Sequence, residues 1–167
     1  MSNGPPDWLS PDELRVLRAI SRAWGAVTAQ LDRHLENEVG LPRGYFDILW
    51  RLRRAPDMSL RMSRLAEITH SKASRITHAV SRLEQVGLVR REVPADDRRG
   101  WLAVLTQAGL EQAERAAVVY ARAVREHALT PLTGEQRDQL IAIGERLLAR
   151  IDPEMLAGVN GSEARAL

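Results

Sequence analysis

Cysteine is absent from this chain of 167 residues. That excludes disulfides, thiolate metal sites and peroxide sensing through a thiol. No run of about 18 apolar residues occurs, so no membrane-crossing helix is predicted. The opening stretch MSNGPPDWLSPDE has neither a basic start nor an apolar core; no secretory signal is expected, and the cytoplasm is the predicted location. Phosphate loops, dinucleotide fingerprints and nucleophile–base spacings are missing too, so neither catalysis nor a cofactor is predicted. Lysine is nearly missing: Lys72 is the only one. There is no internal repeat and no low-complexity segment.

What is present is unevenly charged. The formal net charge is only +2, but residues 61–99 hold nine Lys/Arg against five Asp/Glu, while residues 100–167 hold seven against nine. Positive charge gathers in one segment, as phosphate neutralisation requires. A solvated charged surface would look the same by charge alone, so the pattern of the segment has to decide.

That pattern, from Leu60 to Leu105, is a short helix RMSRLAEIT, a tight turn and a second helix SKASRITHAVSRLEQ. A Gly-Leu stop leads into a strand LVRREV, a hairpin tip PADDRR and a return strand WLAVL. Helix, turn, helix and a two-stranded wing make a winged helix-turn-helix, with one element suited to a major groove and one to a minor groove. In the second helix Ala73, Ile76, Val80 and Leu83 form the inward stripe. Ser71, Ser74, Arg75, His78 and Arg82 fall on the other side, with Lys72 and Thr77 on the flanks, suited to phosphate. Ser71 is placed to cap the helix. Base contacts come mainly from the N-terminal half, which points to Ser74, Arg75 and His78. At the wing tip, Asp96 and Asp97 beside Arg98 and Arg99 suit a carboxylate holding a guanidinium extended toward a narrow, electronegative groove. Arg90 and Arg91 suit structural ion pairs and phosphate contacts equally.

Helices flank this segment. Ser10-Pro11-Asp12-Glu13 is a capping-box start. Leu14, Leu17, Ser21, Trp24, Thr28, Leu31 and Leu35 then recur at helical spacing, with Ile20, Val27 and His34 as a second stripe, until Gly40 and Pro42. A face that wide touches two neighbours. A second helix is read over Arg43 to Arg54, with Phe46, Leu49, Trp50 and Leu52 inward. Thr106 caps a long helix marked by Leu110, Ala113, Ala117, Tyr120, Val124 and Ala128; run to Thr130 it spans roughly 37 Å. Thr133-Gly134-Glu135-Gln136 opens a last helix with Leu140, Ile143, Leu147 and Ile151 on one face. The expected class is mainly α with a small two- to three-stranded antiparallel β wing. Residues 11–40 and 106–155 form a helical dimerisation region, 43–105 the winged helix-turn-helix, and 1–9 and 158–167 frayed ends. Apolar helices at both ends suggest pairing of two chains, with Leu31 at the seam, rather than a monomeric bundle; two copies match half-sites about 10 bp apart.

The stretch GLVRREVPADDRRGWLAVLTQAG resembles the wing and following helix of the MarR (multiple antibiotic resistance regulator) family. Asp97-Arg98-Arg99 matches the family's D-x-R wing tip and Leu105 to Gly109 its L-T-x-x-G ending; the likeness extends over residues 12 to 151. It implies a homodimeric regulator, usually a repressor, of a pseudo-palindromic operator in double-stranded DNA. Arg99 would then be the minor-groove arginine, Asp97 its orienting partner and Arg98 nearer the backbone. It also implies release by a small aromatic or lipophilic effector bound between the dimerisation helices and the DNA-reading part. Trp24, His34, Tyr45, Phe46 and Trp50 gather where such a ligand would be lined; the same side chains suit a helix-crossing core, the preferred reading. His34 and Glu38 stand at chelating spacing, but no second ligand pair accompanies them, so no metal is predicted. An activator of the same family, or a dimeric helical adaptor with a vestigial DNA-reading part, are the alternatives.

Overall fold

The computed structural model describes residues 8–93, 100–153 and 155–156. The expectations for Asp97, Arg98 and Arg99, and for most of both termini, lie outside the described residues. The chain divides into two compact units, before and after the Val124–Arg125 junction.

In the first unit, helix α1 (Pro11–Val39) begins as its capping box dictates: the Ser10 hydroxyl accepts the Glu13 N–H, and Glu13 Oε2 accepts the Ser10 N–H at 2.7 Å. It ends at Gly40, whose φ of 63° suits a residue without a β-carbon. Helix α2 has the expected bounds, Arg43–Arg54. A single 3₁₀ turn (Pro56–Met58) leads to strand β1 (Ser59–Arg61), helix α3 (Met62–Ile68), helix α4 (Ala73–Gln85), strands β2 (Val89–Glu92) and β3 (Leu102–Leu105), and helix α5 (Gln107–Val124). The strands form an antiparallel sheet ordered β1-β3-β2, with Ala103 facing Leu60 on one side and Arg91 on the other.

The core gathers Leu35, Phe46, Leu49, Leu52, Leu65, Ile76, Val80, Leu83, Val89, Leu105 and Ala113, so α1, α2, the helix-turn-helix, the sheet and α5 share one apolar interior. Each fully buried leucine contributes on the order of 1.5–3 kcal/mol. Polar links tie the helices around it: Arg43 to Asp32 at 3.0 Å, Arg53 to Glu114 at 3.1 Å, and Gln112 donating to the Val39 carbonyl at 2.7 Å.

Helix α5 departs from expectation twice. Its buried line is Gly109, Ala113, Ala116, Val119 and Ala123, whereas Leu110, Ala117, Tyr120 and Val124 are only half-buried. Small residues let α5 lie close against α1 and α2, so the contact runs beside the larger side chains. The α-helix also stops at Val124, roughly 27 Å long, rather than reaching Thr130.

The second unit begins with a π-helical turn (Arg125–Leu129), closed by the Thr130 N–H bonding to the Arg125 carbonyl five residues back at 2.7 Å. Helix α6 (Gly134–Ile151) follows, with the predicted capping box between Thr133 and Gln136.

Apolar faces remain uncovered in each unit. On α1, Val16, Leu17, Ile20 and Trp24 are each more than half exposed, and α6 buries none of Leu140, Ile143, Leu147 and Ile151. Leu31 behaves differently: at 2 % exposure it is already enclosed within its own chain. It is a core residue rather than a seam residue.

Candidate nucleic-acid interface

The turn between α3 and α4 sets the geometry of the DNA-reading surface. Thr69 turns its hydroxyl back onto the Leu65 carbonyl at 2.7 Å, and the Ser71 N–H reaches the Ala66 carbonyl. The tight reversal puts His70 at φ 47°, in the left-handed region. No glycine stands in this turn, and histidine is among the types that enter that region most readily.

Ser71 does not cap α4. Its hydroxyl donates to the Thr69 carbonyl at 3.1 Å, and Lys72 holds the N-cap position without a side-chain cap bond. The helix starts one residue later than capping by Ser71 requires, so that hydroxyl faces the end of α3. Ala73 is exposed rather than inward, and Ala79 takes its place with Ile76, Val80 and Leu83. Counting back from Val80, the buried side of the helix ends at Ile76, and Ala73 lies exposed next to the turn.

Lys72, Ser74, Arg75, Thr77, His78 and Arg82 are all exposed, and Ser71 is half-buried. His70, Ser71, Lys72, Ser74 and Arg75 line one hollow of about 580 Å³. His70 is the member that the sequence reading left out; the glycine-free turn was its signal. Lys72 and Arg75 have no carboxylate partner among the described residues, whereas Arg64 nearby is paired with Glu67 at 2.8 Å. Thr77 already donates its hydroxyl proton to the Ala73 carbonyl at 2.9 Å. Arg82 stands apart, in the last turn of α4, donating to Gln85 at 3.3 Å.

The wing is rooted by ion pairs. Arg90 meets Glu92 at 2.7 Å along the strand. Arg91 meets Glu84 of α4, donating Nε to Oε2 at 2.7 Å and its backbone N–H to Oε1 at 3.1 Å. Those bonds hold the Glu84 carboxyl below the usual carboxylate value, the Arg91 side chain being the main cause. At the far end of β3, Thr106 accepts the Gly109 N–H at 3.0 Å and donates to the Gly87 carbonyl at 2.7 Å. One hydroxyl thus caps α5 and binds the turn that ends α4.

The five aromatic and imidazole side chains take different places. Phe46 is buried and packs at a tilt on Trp50 (5.9 Å between ring centres) and Tyr120 (5.1 Å), as a helix-crossing core does. Trp24 is 63 % exposed on α1, and His34 Nδ1 lies 2.9 Å from Glu38 Oε1. Tyr45 borders a groove of about 450 Å³, with Leu41, Pro42, Arg82, Leu83 and Val86 among its walls.

Comparison with known proteins agrees with this arrangement. The MarR family profile matches residues 39–100. The structure is similar to Sco3205, a MarR family transcriptional regulator from Streptomyces coelicolor solved in complex with DNA: 37% identity, TM-score 0.82, 92% of this chain and 96% of that one. It is also similar to AbsC, another MarR family transcriptional regulator from Streptomyces coelicolor, at 34% identity and TM-score 0.78, covering 90% and 98%. The chain belongs to the MarR family. As a MarR family member it is a transcriptional regulator with a winged-helix fold. E. coli MarR shares that fold at 20% identity and TM-score 0.66, over 85% of this chain and 99% of that one. No curated protein matches the sequence. Within the MarR family profile lie α2, the helix-turn-helix and β2, so the match covers the exposed surface that carries Lys72 and Arg75.

Proposed function

We propose that the protein binds double-stranded DNA as a homodimer, laying α4 of each copy in a major groove and the wing in the flanking minor groove, and that it represses transcription until a small aromatic or lipophilic anion releases it. The observation that carries the reading is the exposed hollow of His70, Ser71, Lys72, Ser74 and Arg75, with two cations that have no carboxylate partner among the described residues at the start of a helix whose N-cap makes no side-chain bond there. Ser74, Arg75 and His78 read base edges; Ser71, Lys72 and Thr77 hold phosphate, with Arg82 at the outer end of the helix. Arg99, oriented by Asp97 and flanked by Arg98, enters the minor groove.

The uncovered apolar faces of α1 and α6 support pairing of two copies, since exposed patches of that kind mark interfaces. The groove beside Tyr45 supports an effector site: Leu41, Leu83 and Val86 suit an apolar ring, and Arg82 suits a carboxylate. Trp24, His34, Phe46 and Trp50 then act as the framework around α1 and α2. A regulator of this kind is proposed to act in the cytoplasm.

A gel-shift titration against DNA from the chain's own genome, repeated across salt concentrations, tests the proposal. A specific shift whose affinity falls steeply with salt supports it. No binding to any fragment while the protein remains folded would overturn it and favour a helical adaptor.

A further inference from the structure

We infer that Glu84 is a positioning residue for DNA recognition: by gripping Arg91 it fixes the root of the wing to α4, so that both DNA-reading elements meet the duplex as one body. This rests on the DNA-reading proposal above. Glu84 lies eleven residues beyond Ala73, about 16 Å along the helix from its reading end, and is only one-third exposed. Both of its oxygens are engaged by one residue, Oε2 by the Arg91 guanidinium and Oε1 by the Arg91 backbone N–H.

The backbone bond is informative. Among the described residues β2 is an edge strand in the order β1-β3-β2, so N–H groups on its outer side face no neighbouring strand there. Glu84 takes one of these, attaching the strand itself as well as a side chain. The same guanidinium lies 5.8 Å from the centre of the Trp101 ring, at the start of the returning arm, and the Trp101 carbonyl accepts the Met62 N–H at 2.9 Å. One arginine therefore touches α4, the outgoing arm and the returning arm, one residue before β2 ends at Glu92. A partly exposed ion pair stabilises a fold only weakly, whereas a small rotation at a hairpin's root grows with distance toward its tip.

The test is a thermodynamic cycle on operator DNA with Glu84→Ala, Arg99→Ala and the double variant. Glu84→Ala alone is expected to weaken binding about tenfold, and less than about twofold once Arg99 is already alanine. Hydroxyl-radical protection should fall at the outer flanks of the site and persist at its centre. Equal losses in both backgrounds, or wild-type affinity for Glu84→Ala, overturn the inference. If Glu84→Ala lowers the melting temperature appreciably, Glu84→Gln, which keeps an acceptor for the Arg91 N–H, takes its place in the cycle under the same criteria. Wild-type affinity for Arg99→Ala would sink the wing reading itself, and this inference with it.

Discussion

Gly109 lies so close to the Leu88 carbonyl that a β-carbon built on it would stand 2.0 Å from that oxygen and 2.8 Å from the Leu105 side chain. The same carbonyl accepts the Thr106 N–H at 3.2 Å, so the start of α5 is pressed onto the segment that leads into the wing. Replacing a helical glycine by alanine ordinarily gains about 0.5–1 kcal/mol. Here the obstacle is backbone, which cannot rotate aside, and displacement should cost roughly 1–3 kcal/mol beyond that gain. Gly109→Ala should lower the midpoint of urea unfolding, while Gly25→Ala, with nothing within 4 Å of its β-carbon, should not. Equal midpoints for wild type and Gly109→Ala would show that the contact relaxes freely.

Much of this fold was legible because its punctuation is chemical. Pro42 and Ala55-Pro56 bracket α2, and Ser10/Glu13 and Thr133/Gln136 open their helices with the bonds their residue types suggest. The errors cluster where a side chain carries little pattern. Ala73 and Ala79 have the same side chain and opposite burial, because the preceding turn decides what covers α4. The buried line of α5 is almost all glycine and alanine, which a search for large apolar residues passes over in favour of Leu110 and Tyr120. Strand β1, with three residues, is too short to show a period. At the interface, the exposed cations of α4 were readable from helical spacing. The Glu84–Arg91 pair was not, since it crosses a turn at seven residues' separation.

Lys72 and Arg75 should separate into two kinds of DNA contact. A point charge on phosphate is blind to sequence, whereas a guanidinium can pair bidentately with guanine. Lys72→Ala should weaken operator and random DNA by the same factor and reduce the salt slope by about one unit. Arg75→Ala should instead narrow the gap between operator and random DNA by about 1–3 kcal/mol. Fluorescence anisotropy with both duplexes at several salt concentrations reads the difference, and an unchanged operator preference in Arg75→Ala would remove it from base reading.

Dimerisation and folding should respond to different leucines. Leu17 is 52 % exposed on α1, so Leu17→Asp leaves the single chain's core intact and places a charge where two copies are proposed to meet. It should yield folded monomers by light scattering, with DNA affinity lost because one half-site offers too few contacts. Leu31, 2 % exposed, sits inside its own chain; Leu31→Asp should unfold the protein by burying an unpaired charge. Folded monomers from Leu31→Asp would place that residue at the seam after all.

Glu38 should give the stability curve a recognisable acid limb. Its carboxylate, on α1, accepts bonds from Arg122 of α5 and from His34. Those bonds, Arg122's first, hold its pKa below the ordinary 4.5. A carboxyl whose pKa is lower folded than unfolded contributes stability above the unfolded value and loses it as pH falls through the folded one. The stability gap between wild type and Glu38→Gln should therefore close as pH drops from about 4.5 downward. Glu13 and Glu84, lowered in the same direction by their own partners, are common to both proteins and cancel in the difference. Both members of the Glu38–Arg122 pair are at least one-third exposed, so added salt should shrink the gap at every pH. Urea unfolding at intervals between pH 7 and pH 3 measures it, and a gap that stays flat to the acid end would mean that the Arg122 contact does not favour the charged carboxylate.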